Sequence, residues 1–118
     1  MPEAKLTLHL YRLFCHVVEE QGYDDVYLKA DGIKIWPVGK KQEPVHEDSI
    51  TELDLQVVDL NAGQQYLIEL WDWDLISADD LYGTFTLPIE EGGPFTTDLV
   101  RNLKKTQKAH YTLEWGVY

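Results

Sequence analysis

Val26-Tyr27-Leu28-Lys29-Ala30-Asp31-Gly32-Ile33-Lys34-Ile35-Trp36 is the stretch on which the fold turns. Val26, Leu28 and Ala30 alternate with Tyr27 and Lys29, and a period of two is what a strand with one buried face requires. Asp31-Gly32 tolerates the positive φ angles of a type I′ turn, whose twist matches its flanking strands, so a β-hairpin is expected here. Toward the N-terminus, Leu6, Leu8 and Leu10 alternate with Thr7, His9 and Tyr11, giving a first strand that ends near Cys15. Glu19 to Asp25 follows without apolar period and reads as an acidic loop. Toward the C-terminus, Pro37 to Asp48 reads as a surface connection, rich in Pro, Gly, Lys and Glu. Leu53, Leu55 and Val57 then alternate with polar residues, and Asn61-Ala62-Gly63 separates them from Gln65 to Trp71, which predicts a second hairpin. Tyr82 to Pro88 predicts another strand, closed by Glu91-Gly92-Gly93-Pro94. Tyr111, Leu113, Trp115 and Val117 predict the last one. For Phe95 to Lys108 a strand with an irregular end is preferred to a short helix capped at Thr97 and bearing Leu99 and Leu103. Short strands joined by turn-rich segments, with no long helical period, point to an antiparallel β-sandwich.

A chain of 118 residues, 44% hydrophobic and 12% aromatic, can bury one core, so residues 1–118 are expected to form a single domain. Ten Lys plus Arg against 21 Asp plus Glu give a net charge of −11. That balance repels phosphate backbones and argues against nucleic acid as a partner. Cys15 is the only cysteine, which precludes an intrachain disulfide and suggests a reducing, cytoplasmic setting. No apolar run reaches the roughly 20 residues of a membrane span, and Met1 to Lys5 does not open a signal segment. Secretion from a longer precursor stays open. The four histidines lack zinc spacing, Ser49 and Ser77 are the only serines, and no glycine-rich phosphate loop is present. The chain is therefore read as a binding module without catalysis or small-molecule substrate.

Trp71-Asp72-Trp73-Asp74-Leu75-Ile76-Ser77-Ala78-Asp79-Asp80-Leu81-Tyr82-Gly83 places four aspartates between two expected strands, with Trp71 and Trp73 on one face. Calcium takes six to eight oxygen ligands, so a flexible loop dense in carboxylates suits it. The connections of a sandwich gather at its two ends, which allows this loop and Glu19 to Asp25 to form one cup. Five carboxylates there would repel one another by on the order of 10 kcal/mol before screening, a load a divalent cation relieves.

At these residues the sequence resembles the C2 domains, eight-stranded sandwiches that typically bind calcium through loop aspartates. Asp72, Asp74, Asp80 and Gly83 match the family's third-loop pattern, and Ser77 falls where the family often has a further oxygen ligand. Asp24-Asp25-Val26-Tyr27-Leu28-Lys29 is similar to the family's Ser-Asp-Pro-Tyr-Val-Lys and puts Asp25 at a ligand position. Glu19 stands where the family has its earlier loop-one aspartate, with Glu20 beside it. The strand order resembles the circular permutation in which strand one leads into loop one. The resemblance implies a calcium-binding module whose site comprises Glu19, Asp25, Asp72, Asp74, Asp80 and Ser77. It would dock to an anionic phospholipid membrane, as a peripheral membrane protein, or to a protein partner. Leu75 and Ile76, at the expected loop tip, are candidates for membrane contact, the bland alternative being that they fold back onto the core. The competing functional reading is a metal-independent β-sandwich scaffold for protein–protein interaction.

Overall fold

The computed structural model describes residues 5–102 and 107–118, and their regular structure is entirely β. The strands are β1 (Leu6–Val17), β2 (Tyr23–Ala30), β3 (Ile33–Trp36), β4 (Glu43–His46), β5 (Ser49–Leu60), β6 (Gln65–Asp72), β7 (Asp80–Pro88), β8 (Gly92–Asp98), β9 (Val100–Arg101) and β10 (His110–Val117). One sheet runs β5-β1-β10-β8; the other runs β3-β2-β6-β7-β9, with β4 alongside β2. All the pairings are antiparallel. The inner faces meet in one core: Leu8, Leu10, Leu13, Tyr111 and Leu113 from the first sheet pack with Val26, Leu28, Ile68, Leu70, Phe85 and Leu87 from the second. The expected sandwich is present, and β1 leads directly into the first acidic loop.

The alternation of β1 changes parity part-way. A register shift between Leu10 and Arg12, present against both neighbouring strands, keeps Leu13 and Cys15 buried where strict alternation would bury Arg12 and Phe14. Arg12 instead lies on the outer face, 2.7 Å from Glu52 and 2.8 Å from Glu114. The 31–32 turn forms as expected, with φ of 51° at Asp31 and 75° at Gly32.

Four expectations need correction. The strands on either side of Asn61-Ala62-Gly63 do not pair. β5 joins β1 and β6 joins β2 and β7, so this connection carries the chain from one sheet to the other. It is tied down by Gly63 N–H donating to Ile89 O and Ile89 N–H donating to Gln64 O, both at 2.8 Å. Two strands were not anticipated, β4 and β9. β4 presents Val45 alone to the core and β9 has two residues, too few to show a period. Gly92-Gly93-Pro94 opens β8 rather than only ending β7; an edge strand accepts a proline because the missing N–H faces away from the ladder. Finally, Asp24 and Asp25 belong to β2, which shortens the acidic loop to residues 18–22. Thr97 lies within β8, in line with the preferred reading, whereas Leu103 falls outside the described residues.

Gly83 has a packing reason. A Cβ at this position would sit 2.2 Å from the Val100 carbonyl oxygen, because β9 crosses directly against β7 there. Backbone cannot yield as a flexible side chain does. Gly83→Ala is therefore expected to lower stability by about 2 kcal/mol in urea denaturation, an overpacking cost; a variant as stable as the parent would mean that β9 does not pair with β7 in solution.

Candidate functional site at the acidic loop end

The second sheet brings the acidic segments together. In its registers Val26 faces Asp72 and Asp72 faces Asp80, so the start of β2, the end of β6 and the start of β7 lie side by side. Trp73 N–H donates to Asp25 O at 2.8 Å and extends that contact beyond β6. Residues 18–22 and 73–79 therefore share one end of the sandwich, as the cup required.

The carboxylates there have separate roles. Asp24 is fully buried and accepts four partners: Glu19 N–H at 3.0 Å, Glu20 N–H at 3.0 Å, Tyr82 O–H at 3.0 Å and Tyr111 O–H at 2.5 Å. Burial, and then the Asp24 carboxyl, push both tyrosine hydroxyls well above their ordinary range. Asp24 thus pins the first loop to the core. Its role was missed in the sequence, although the parity was there: Asp24 stands two residues before Val26 and so points inward with it.

Asp72, at the end of β6, is 1% exposed, and its Oδ1 has no hydrogen-bond partner. Its carboxyl is pushed up to about 8, first by burial, then by the carboxyl of Glu20 within hydrogen-bonding reach, then by the charge of Asp24. Asp25 is half-buried and is also raised, by burial and by Asp24. Glu20 thus faces Asp72, while Glu19 Oε2 accepts the N–H groups of Lys108 at 2.8 Å and Ala109 at 3.0 Å.

The second loop is braced from within. Asp74 Oδ1 accepts Ile76 N–H at 2.9 Å and Ser77 N–H at 3.2 Å, and its Oδ2 accepts the Ser77 hydroxyl at 2.8 Å. These donors hold the Asp74 carboxyl below the usual range. Asp79 accepts Asp74 N–H at 2.9 Å and the Tyr27 hydroxyl at 2.5 Å. The bracing turns Leu75 and Ile76 outward, 79% and 96% exposed, so they do not fold back onto the core. Behind the loop, Trp71 stacks on Tyr27 with Lys29 Nζ 4.9 Å from the Trp71 ring, and Lys41 Nζ lies 6.0 Å from Trp73.

Among the described residues, no three Asp, Glu, His or Cys side chains stand close enough together to hold a metal ion. The donor chemistry nonetheless suits a hard cation: every candidate donor is oxygen, and the buried Asp72 Oδ1 lacks a partner.

Solved structures with the same arrangement of strands exist. One, described as a C2 domain, superposes with a TM-score of 0.53 at 15% identity and covers 96% of each chain. The fold is C2-like. A second neighbour, a C2 domain of plant Extended Synaptotagmin 1, has a TM-score of 0.57 at 14% identity and covers 99% of this chain and 95% of its own. No protein-family model and no curated relative matches the sequence. In the C2-like frame the acidic end is the one that carries residues 18–22 and 73–79. The described residues contain no helix long and apolar enough to cross a membrane.

Proposed function

We propose that this C2-like module binds calcium at its acidic end and there docks to anionic phospholipid membrane. The observation that carries the reading is the buried, partnerless Asp72 Oδ1, flanked by Glu20 and in register with Asp80, directly behind an exposed Leu75-Ile76 tip. On this reading Asp25, Asp72, Asp74 and Asp80 form the ligand set, and a glutamate of the first loop, Glu19 or Glu20, completes it. Bound calcium supplies positive charge that offsets these carboxylates and an open coordination position for a lipid phosphate. The chain itself supplies the rest. At a net charge of −11 it is repelled by an anionic surface, so docking needs a cation at the contacting end. Leu75 and Ile76 already point into solvent and would enter the headgroup boundary without any unmasking step.

Calorimetric titration of calcium into chelator-treated protein tests the first part. Heat and a rise in melting temperature are expected, because the ion favours the folded state; a flat titration defeats the reading. Cosedimentation with phosphatidylserine-containing vesicles tests the second. Leu75→Ser with Ile76→Ser should abolish sedimentation while leaving the melting temperature within a degree or two, since both side chains are already exposed. Undiminished sedimentation would remove the tip from the docking surface. A metal-independent scaffold is the second reading, favoured by the internal bracing of Asp74 and Asp79, which needs no ion. It predicts protein capture that is indifferent to chelator.

A further inference from the structure

The first sheet ends on two strands, β5 and β8. β5 is blunted: its pairing with β1 slips between Leu6 and Leu8 and again between Leu10 and Arg12, and Asp54 and Asp59 take φ of 49° and 62°. Such irregularities keep an edge from accepting another strand. β8 is guarded only near its start, by Pro94. Among the described residues, its stretch 95–98 pairs with β10 alone and without a register shift. The backbone groups along its far side are therefore open to a further strand.

The mouth of the sandwich beside this edge is open as well. Phe95 faces Trp115 and Thr97 faces Leu113, so both lie on the side of the sheet that carries the core. Phe95 is nevertheless 42% exposed. The reason lies in the facing sheet: β9 pairs with β7 only at Gly83 and Thr84, and among the described residues nothing pairs with 85–88 on that side. Pro88, Glu90, Phe95, Thr96, Thr97 and Trp115 line a cavity of about 290 Å³ in this gap. Its floor is fixed, because the Phe95 and Trp115 rings lie 4.9 Å apart and Trp115 Nε1–H donates to Thr97 Oγ1 at 2.9 Å. Pockets for free small molecules begin at roughly 300 Å³, so this one suits an apolar side chain carried in by a bound strand.

Charge selects the strand. Between residues 42 and 100 the chain has no Lys or Arg, and the exposed Glu90 and Glu91 stand at the mouth. Arg12, beside Pro94 on the outer face, is already held by Glu52 and Glu114. A second copy of the chain, with the same acidic mouth and a net charge of −11, is repelled. We propose that β8 docks an extended basic segment of a partner protein, which adds a strand beside residues 95–98, sets an apolar side chain over Trp115 and meets Glu90 and Glu91 with lysine or arginine. β7 starts at the acidic end with Asp80 and runs away from it to Pro88, so this docking is independent of calcium.

The test is fluorescence anisotropy with a short labelled peptide in which lysine alternates with valine or leucine. Two control peptides carry glutamate in place of lysine, or alternate backbone N-methyl groups that leave the side chains but abolish strand pairing. The first peptide should bind the parent protein, and each control about tenfold more weakly or not at all. Phe95→Ala and the double variant Glu90→Lys with Glu91→Lys should each weaken binding about tenfold. The double variant changes only exposed side chains and should melt like the parent, so its result stands even where Phe95→Ala is unstable. Equal binding of the N-methylated peptide, undiminished binding to the double variant, or no binding of the lysine peptide overturns the proposal. A parent that sediments as a dimer, split by Phe95→Ala, would give the edge to a second copy and overturn it too.

Discussion

Asp24→Ala is expected to lower the melting temperature by about 15 °C, a loss of about 4 kcal/mol. The substitution strands four donors at once: Glu19 N–H, Glu20 N–H, Tyr82 O–H and Tyr111 O–H. The two amides belong to a surface loop and can turn to water. The two hydroxyls cannot, because Tyr82 and Tyr111 are buried in the core at 1% and 0% exposure. A buried donor left without an acceptor costs about 1–3 kcal/mol, and two of them account for most of the effect. Tyr82→Phe and Tyr111→Phe each delete one donor with its need, so each should cost only about 1 kcal/mol. Thermal melts of the three variants check the pattern. An Asp24→Ala protein no less stable than the tyrosine variants would mean that Asp24 does not bridge loop and core.

Asp72→Asn is expected to do the reverse in chelator and to stabilise the protein, more so as pH rises. The sign follows from linkage. In the unfolded chain Asp72 ionises near its ordinary value of about 4, whereas in the folded protein its carboxyl holds the proton up to about 8. Between these limits the folded state binds a proton that the unfolded state has lost, so stability falls as pH rises through the window and stays low above it. The amide introduced by the substitution cannot ionise, and it can donate a hydrogen bond to Glu20. The gain should therefore be near zero at pH 4 and grow steadily to about 5 kcal/mol at most by pH 8, the full worth of a displacement from about 4 to about 8, with a melting-temperature difference of at least roughly 10 °C. On the proposed calcium reading the ion should invert the order: the parent gains stability with it and Asp72→Asn does not. Melts at pH 5, 7 and 9, with chelator and with calcium, give both comparisons. Parallel pH profiles for parent and variant would show that Asp72 carries no displaced proton.

The two variants separate carboxylates that look alike in the chain. Asp24 and Asp72 are both fully buried, yet one is fully paired and the other is not. Removing the first leaves partners unsatisfied; removing the second relieves a desolvated charge. A residue held at a cost to stability, beside an exposed apolar tip, is what a docking site built on a rigid sandwich predicts.

Much of the architecture could be read from consecutive residues. Leu6-Leu8-Leu10, Val26-Leu28-Ala30 and Leu53-Leu55-Val57 each mark one strand and its inward face, and Asp31-Gly32 marks its own turn, because period and turn chemistry are local properties of the backbone. The aspartates at 72, 74, 79 and 80 marked the loop as acidic in the same local way. Other features depended on residues far apart. Whether β5 pairs with β6 or with β1 is a competition between whole edges, and β1 offered Leu8 and Leu10 opposite Val57 and Leu55. Whether an aspartate is a paired buried post or a desolvated carboxyl depends on Tyr111, Tyr82 and Glu20 arriving beside it from other segments. The identity of each acidic side chain was thus written in the chain, while its environment, and so its protonation and its bonds, came only with the packing of the two sheets.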